Sequence, residues 1–555
     1  MARKLLSSVD TAWLRMEDPT NLMMINGFMV FSEPMDFERL KLTLKHDLLR
    51  FDRFRQRVVR PAFGSPYWED DPDFDLNYHL QRATLPPPGD QAALQDLVSL
   101  LAGRQLDLSR PLWQFHLVEE YQGGCALICR LHHCIGDGLA LVYVLLSLTS
   151  TEPDMPWPIR QPEAPRGRQQ QRPLGRLFRP ARTAFKTSYQ VSRALGCEGW
   201  QTLNQPARLA DLAREGASGA KSLARLLLLW PDPRTAYKGT LGVPKRAAWS
   251  GPIPLQDVKA IRKGLGGTVN DVLLAAMSGA LRRYLEERGE PVDGLNFRAV
   301  VPVNLRKPGT EEELGNKFGL VFLALPIGIA EPLERLQELR RRMDALKDSR
   351  EAPVAFGILA TIGAAPEVVQ DLVVNIFGLK GTAVMTNVMG PPLQIYLAGA
   401  PLESLMFWVP QSGHLGIGVS ILSYNGQVRM GVITDEGLVP DPEAIIAAFR
   451  AEFDHLLQLA QKPEEPPSLQ DVVTRLEGVV VALDELLEEK AEAGVQPEAI
   501  AEVPPEVAVE AQPESLVETE SAPERCQALT QAGRPCKNPS LSGSSYCHVH
   551  QGYQG

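Results

Sequence analysis

The chain has 555 residues, of which 44% are hydrophobic and 22% are charged, so it holds enough apolar sequence for two or three globular domains. Its formal net charge of −10 argues against a nucleic-acid-binding protein. Most of that charge is local, because residues 463–524 contain 17 acidic and two basic residues, whereas residues 1–462 have a net charge of about +2. The body of the protein is therefore nearly neutral, and the acidity belongs to a tail.

Seven cysteines are few and odd in number, which is typical of a reducing compartment and not of a disulfide-stabilised protein. The N-terminal residues show no apolar segment of a signal peptide, and no apolar run approaches the roughly 18–20 residues that span a bilayer. We therefore expect a cytoplasmic protein that is at most peripherally bound to a membrane.

Apolar periodicity divides the body into two mixed α/β blocks. Residues 1–150 form the first, with predicted strands at Phe28–Phe31 and Ala126–Leu131 and predicted helices at Asp36–Leu49 and Gln91–Leu101. Residues 151–246 begin with a proline-rich and basic stretch, which predicts a crossover linker followed by helices. Residues 247–461 form the second block. Its predicted elements are a helix at Asn270–Arg288 and strands at Arg298–Val303, Val321–Leu325, Gly416–Leu422 and Val428–Thr434.

The tail divides into two parts. Residues 462–525 are acidic, and their leucines and valines between Leu469 and Leu486 predict one short amphipathic helix before a disordered linker, with a short coiled coil as the alternative to that helix. In residues 526–555, the spacing of three cysteines and one histidine fits a small Cys3His zinc module, whose ligands would be Cys526, Cys536, Cys547 and His550. His548 is a rival ligand to His550, and free thiols are the alternative to a zinc site.

The sequence His132-His133-Cys134-Ile135-Gly136-Asp137-Gly138 follows a predicted strand and precedes an apolar helix. On an extended backbone, the two adjacent imidazoles point to opposite faces, so that one faces a channel while the other packs inward. Asp137 and Gly138 suit a tight turn in which Gly138 is free to adopt a positive φ. A histidine held at the end of a rigid strand is well placed to be a general base. The alternative is a pair of histidines without a catalytic role beside an ordinary turn.

Other catalytic motifs are missing from the sequence. It has no Gly-x-Ser-x-Gly elbow, no P-loop and no Gly-x-Gly-x-x-Gly between a strand and a helix. The spacing of His132 and Asp137 also fits the glycerolipid acyltransferases, but the further motifs of those enzymes are absent. Two adjacent histidines are also poor ligands for one metal ion.

The motif His-His-x3-Asp-Gly is that of the chloramphenicol acetyltransferase-like and condensation-type acyltransferases. Within that superfamily, the chain resembles the bacterial wax ester synthase/acyl-CoA:diacylglycerol acyltransferase family over roughly residues 5–460. The resemblance rests on collinear segments at Leu6–Arg15, Pro111–Trp113, Thr268–Val272, Val301–Arg306, Gly315–Gly319 and Thr386–Pro391. One departure is Met385–Met389, where the family usually has Ser before the Asn and Pro before the Gly. The resemblance implies an α/β fold of two chloramphenicol acetyltransferase-like halves joined by the crossover linker.

The resemblance also implies the roles of the motif residues. His133 would be the general base that takes a proton from an alcohol, which attacks the thioester of an acyl-CoA. His132 would orient the motif, with direct catalysis as the alternative. Asp137, beside Gly138, would be structural and ion-paired. Arg55 matches the position of its arginine partner in condensation-type relatives, with an ordinary surface arginine as the alternative.

Two further expectations concern the second block and the substrates. Asn270 is our candidate for the donor to the oxyanion, with a helix N-cap as the alternative. No cofactor is expected for catalysis, and acyl-CoA and a hydrophobic alcohol such as diacylglycerol or a fatty alcohol are the expected substrates. The basic crossover, Arg166–Lys186, would bind a membrane or lipid droplet, unless it is a solvated linker. The competing functions are a non-catalytic lipid-binding or droplet-tethering protein and a condensation-type enzyme.

Overall fold

The computed structural model describes residues 4–61, 64–153, 230–306, 314–347, 378–411 and 413–461. All of them lie in one compact unit, Met1–Pro463, whereas a second unit, Glu464–Gly555, is outside the described residues. The predicted basic crossover, tail helix and zinc module therefore also lie outside them. Among the described residues, no helix is both long enough and apolar enough to cross a membrane.

The described residues up to 153 contain thirteen regular elements. They are β1 (Lys4–Leu5), α1 (Ser8–Arg15), β2 (Met24–Phe31), α2 (Phe37–Thr43), β3 (Gln56–Val59), β4 (Tyr67–Asp70), α3 (Leu76–His79), β5 (Leu80–Ala83), α4 (Gln91–Ala102), β6 (Trp113–Tyr121), β7 (Gly124–His132), α5 (Gly138–Leu146) and β8 (Thr149–Ser150). A π-helical turn, Leu44–Leu48, and a 3-10 turn, Asp52–Phe54, follow α2.

The described residues from 230 onward contain thirteen more elements. They are β9 (Lys245–Trp249), β10 (Ile253–Pro254), α6 (Leu255–Leu265), α7 (Val269–Glu287), β11 (Phe297–Asn304), β12 (Phe318–Leu325), α8 (Pro332–Lys347), β13 (Ala383–Met389), β14 (Tyr396–Leu397), β15 (Ala400–Trp408), β16 (Ile417–Tyr424), β17 (Gln427–Asp435) and α9 (Pro442–Gln461).

These elements build two halves, each around a seven-stranded sheet. The N-terminal sheet has the order β5-β6-β7-β2-β15-β14-β8, and the C-terminal sheet has the order β10-β17-β16-β13-β11-β12, with β9 also paired to β17. Each half has its own large apolar core, one around Phe28, Trp113 and Phe115 and one around Phe297 and Phe449. The predicted mixed α/β architecture of two halves is confirmed.

Within the described residues, the predicted strands and helices of the two blocks are found, with their ends shifted by a few residues. The predicted helices of the crossover lie outside the described residues. β2 and β7 extend the two predicted N-terminal strands, and α7 replaces the predicted helix Asn270–Arg288. A hairpin turn joins β16 to β17, and its residues Asn425 and Gly426 both have positive φ. Helix Asp36–Leu49 is shorter than predicted, because Asp36 is the N-cap of α2 and the chain changes to a π-helical turn at Leu44.

One feature of the topology departs from the block boundaries expected from the sequence. β14 and β15 lie within residues 247–461 but complete the N-terminal sheet, where β15 pairs antiparallel with β2 from Phe31↔Leu402 to Asn26↔Trp408. Hydrophobic periodicity does not specify which sheet a strand joins, so the sequence could not show this exchange.

The C-terminal sheet opens between two of its central strands. β11 pairs with β12 over its whole length, and β13 pairs with β16 over its whole length. The parallel ladder between β11 and β13, by contrast, is limited to Ala299↔Ala383 and Val300↔Val384. Beyond these pairs, the C-terminal ends of β11 and β13 do not pair with each other. They form the two sides of an opening, as occurs at ligand sites in other α/β sheets.

Candidate active site

The two histidines are fixed by backbone hydrogen bonds at the end of β7. The backbone N–H of His132 donates to Leu112 O at 2.9 Å, and that of His133 donates to Met23 O at 2.8 Å. Both side chains are buried. His132 is the last residue of β7 and His133 begins the turn that follows it, and the two rings contact different residues.

His132 points towards the loop that follows α1. Its Nε2 lies 2.9 Å from Oε2 of Glu17, and its Nδ1 accepts a hydrogen bond from the backbone N–H of Cys134 at 3.1 Å. Burial lowers the pKa of His132, but the Cys134 thiol and the Glu17 carboxylate outweigh burial and raise it overall. Burial raises the pKa of Glu17, whereas the bond and charge of His132 lower it overall. Both ring nitrogens of His132 are therefore engaged.

His133 lies in an aromatic pocket. Its ring stacks on Trp13 with centroids 4.1 Å apart, and Phe318 lies 5.7 Å away. Its Nδ1 is buried without a partner in the part of the chain that the structure describes. Burial lowers the pKa of His133 to about 4, against the opposing effects of Asp137 and of hydrogen-bonding groups that include Asn316. The ring is therefore neutral at physiological pH.

Asp137 is the N-cap of α5, and the C-terminal half holds its carboxylate. Its Oδ1 accepts from the backbone N–H of Ala140 at 2.9 Å, and its Oδ2 accepts from the backbone N–H of Lys317 at 2.9 Å and from Nη2 of Arg306 at 2.7 Å. The Arg306 and Asp137 side chains are both almost fully buried. Gly138 begins α5 and is not in the left-handed region, so its expected positive φ is wrong.

The expected pairing of Arg55 with Asp137 is therefore corrected to Arg306. The guanidinium of Arg55 is 41% exposed and contacts two exposed carboxylates, Asp52 and Asp70. The 3-10 turn at Asp52–Phe54 directs Arg53 inward instead, where it donates to Cys134 O at 3.0 Å and to Ile135 O at 2.8 Å. Since such a turn places neighbouring residues on different sides, the sequence alone could not separate the two arginines.

A buried polar network joins the motif to α1 and to the C-terminal half. Nδ2 of Asn316 donates to the backbone carbonyl of His133 and to Oδ1 of Asp10, both at 2.8 Å. The other oxygen of Asp10 accepts from Nη2 of Arg53 at 3.0 Å. Asp10, Arg53, Asn316 and Arg306 are residues that sequence reasoning did not assign to the site. Three of them lie in or beside segments that carry the family resemblance, which was the available signal.

Asn270 lies in the first turn of α7 but is not its N-cap. Thr268 takes that position, and it forms a reciprocal capping box with Asp271. The Oδ1 of Asn270 accepts a hydrogen bond from Nδ2 of Asn387 at 2.9 Å. Asn387 lies on β13 beyond the short ladder with β11, so this pair sits beside the opening in the sheet.

The Pro111–Trp113 segment is part of the scaffold that holds the motif. Trp113 is fully buried and donates its Nε1–H to Phe54 O at 2.8 Å, while Leu112 O holds the backbone of His132. Among the described residues, no group of three or more His, Cys, Asp or Glu side chains is arranged to hold a metal. The four predicted zinc ligands, Cys526, Cys536, Cys547 and His550, lie outside the described residues.

Comparisons with known proteins agree with this geometry. Residues 6–273 match the wax ester synthase/diacylglycerol acyltransferase catalytic domain, and residues 314–457 match the WS/DGAT C-terminal domain. A Mycobacterium tuberculosis protein named as a diacylglycerol O-acyltransferase is 27% identical over 85% of this chain and 93% of its own length.

Two solved structures share the fold. The wax ester synthase/diacylglycerol acyltransferase from Marinobacter aquaeolei VT8 is 24% identical, with a TM-score of 0.58 over 82% of this chain and 99% of that one. The first condensation domain of the calcium-dependent antibiotic synthetase is 15% identical, with a TM-score of 0.53 over 83% of this chain and 97% of that one. With both domain models matched in order around the histidine motif, the chain belongs to the wax ester synthase/diacylglycerol acyltransferase family.

Proposed function

We propose that this protein is an O-acyltransferase that moves a long-chain acyl group from acyl-CoA to diacylglycerol, to a fatty alcohol, or to both. The observation that carries the proposal is the buried imidazole of His133, stacked on Trp13 and held at the junction of two halves that match the catalytic and C-terminal domains of the family. A non-catalytic lipid-binding protein on the same fold is the alternative, but such a protein has no need for a histidine held in this way.

In the proposed reaction, His133 accepts the proton of the acceptor hydroxyl as the alcohol oxygen attacks the thioester carbonyl. The tetrahedral intermediate then collapses, the carbon–sulfur bond breaks, and the imidazolium returns its proton to the CoA thiolate. The backbone carbonyl of His133 and the side chain of Asn316 favour a proton on the ring. Since Nδ1 faces the protein interior, we assign the role of base to Nε2.

The other motif residues then act on the position of His133. His132 has both nitrogens engaged by Glu17 and Cys134, so we assign it an orienting role. Asp137 caps α5 beside Gly138 and binds Arg306, which locks the loop between β7 and α5 against the C-terminal half. We assign both residues to the architecture of the site.

Asn270 remains our candidate for the donor to the oxyanion. Its Oδ1 is held by Asn387, which fixes the amide plane and leaves the Nδ2–H groups without a partner among the residues described. An amide donor fixed in this way stabilises a developing oxyanion without reorganisation during the reaction.

The direct test is CoA release by the purified full-length chain. With palmitoyl-CoA, we expect thiol release that depends on an acceptor from a panel of diacylglycerol, hexadecanol and a short-chain alcohol. Extraction and chromatography of the lipid product then identify the ester formed. Binding of these lipids without thiol release from any of them would favour the non-catalytic alternative.

The pKa of His133 makes a prediction about pH. Because only the neutral ring can accept a proton, kcat/KM should stay level from pH 8 down to about pH 5 and should fall as the pH drops through about 4. The measurement is kcat/KM against pH, with circular dichroism at each pH to confirm that the chain is folded. An inflection near 6.5, the ordinary value for histidine, would contradict the proposed environment of this base.

Membrane association and the zinc module are proposals from the sequence. The basic segment Arg166–Lys186, with Phe178 and Phe185, has the composition of a segment that binds anionic lipid at a membrane or droplet surface. Cys526, Cys536, Cys547 and His550 provide the donors of one tetrahedral zinc ion, which would have a structural role and no part in catalysis.

A further inference from the structure

Helix α6 carries a cationic face. Its three basic side chains, Lys259, Arg262 and Lys263, are all exposed and follow the spacing i, i+3, i+4, which places them on one side of the helix. Val258 and Ile261 are fully buried against the core of the C-terminal half. The helix contains one acidic residue, which precedes Val258 and lies outside the basic arc.

In the described part of the chain, no carboxylate lies within salt-bridge distance of these three side chains. Arg340, on α8, provides a fourth cation near the C-terminal end of α6. Its Nη1 lies 3.3 Å from the position that a Cβ on Gly266 would occupy. Arg340 has a contact of 3.9 Å with Asp344, whereas its neighbour Arg341 forms two hydrogen bonds to Glu338 of 2.7 and 2.8 Å.

The position of this surface relates it to the candidate active site. Gly266 and Gly267, which have φ values of +84° and +83°, turn the chain from α6 into α7. Three residues later, Asn270 is bonded to Asn387 beside the opening between β11 and β13. The four cations therefore lie before this short turn in space, and Asn270, which follows the turn, borders the candidate active site.

We propose that Lys259, Arg262, Lys263 and Arg340 bind the phosphate groups of the nucleotide end of acyl-CoA. The inference rests on the proposed function, because acyl-CoA is the donor in that reaction. Acyl-CoA joins a multiply charged phosphate end to its thioester through a long pantetheine arm. Exposed cations suit such phosphates, and three of the four have no carboxylate partner in the described residues. The arm lets the nucleotide stay outside while the thioester enters the opening.

The test compares two acyl donors with the full-length chain. In the double variant Arg262→Gln/Lys263→Gln, we expect the KM for palmitoyl-CoA to rise about tenfold with little change in kcat, and the effect to shrink at high salt. With palmitoyl-pantetheine, which lacks the nucleotide and its phosphates, wild type and variant should have the same KM. The control Arg341→Gln removes one cation that is paired with Glu338 on α8, and it should leave both KM values unchanged.

Three results would overturn this assignment. The first is an unchanged KM for palmitoyl-CoA, and the second is an equal rise in KM for both donors, which would indicate an effect through the fold. The third is lost binding to phosphatidylglycerol vesicles with an unchanged KM in detergent, which would assign the surface to lipid headgroups. Calorimetric titration with CoA itself needs no turnover, so weaker CoA binding by the variant would support the phosphate site even if no acceptor were acylated.

Discussion

Replacing His133 with alanine should lower kcat for CoA release by about 10²–10⁴-fold, the contribution typical of a general base. The reason is that the neutral imidazole is the one group at the end of β7 that we assign to accept the hydroxyl proton. His132 cannot replace it, because Glu17 and Cys134 engage both of its nitrogens. Stopped-flow or steady-state thiol detection with palmitoyl-CoA and the preferred acceptor measures the loss.

A matched control separates this effect from the loss of a buried ring. His79 is also fully buried and stacks on Trp113, with centroids 4.5 Å apart, but it lies outside the motif. His79→Ala should lower the melting temperature while the folded enzyme keeps a kcat close to that of the wild type. If His133→Ala keeps more than a tenth of the wild-type kcat, the assignment of the base is wrong.

Replacing Arg306 with alanine should lower the free energy of unfolding by about 3–5 kcal/mol, because it leaves the buried carboxylate of Asp137 without its cation. Two backbone N–H groups still donate to that carboxylate, but neither carries a full charge. Urea denaturation followed by tryptophan fluorescence gives the free energy of unfolding. An unchanged slope of that free energy against urea concentration would show that variant and wild type expose the same amount of surface on unfolding.

Arg55→Ala is the control for this second prediction. It removes the same side chain from a partly exposed position beside Asp52 and Asp70, where an ion pair contributes about 0–1 kcal/mol. Equal losses from the two variants would contradict the assignment of Arg306 as the partner of Asp137. The variant Asp137→Asn adds a further comparison, because it removes the charge of the carboxylate while Arg306 keeps its own.

The sequence was most informative where a local pattern determines the structure. The apolar periodicity of α7 and the apolar run of β7 each predict an element within a few residues, because packing of one face or of a whole strand requires that pattern. The histidine motif was found for the same reason, since strand, histidines and capping aspartate are contiguous.

Contacts between distant segments were not visible in the same way. Asp137 and Arg306 are 169 residues apart, and nothing in the surrounding sequence of either residue specifies the other. Asn316 reaches the carbonyl of His133 from the C-terminal half in the same manner. Such pairs depend on how the halves pack, which local propensity and periodicity do not encode.

The exchange of β15 into the N-terminal sheet has a consequence for synthesis of the protein. β2 is buried along its whole length, and one of its edges pairs with β15, where Val30 meets Ser404. During translation that edge stays open until residue 408 has left the ribosome, and an open apolar strand is prone to pair with other chains. A fragment of residues 1–150 would expose the same edge permanently. The first half is thus a block of sequence that cannot complete its fold before most of the chain has been made.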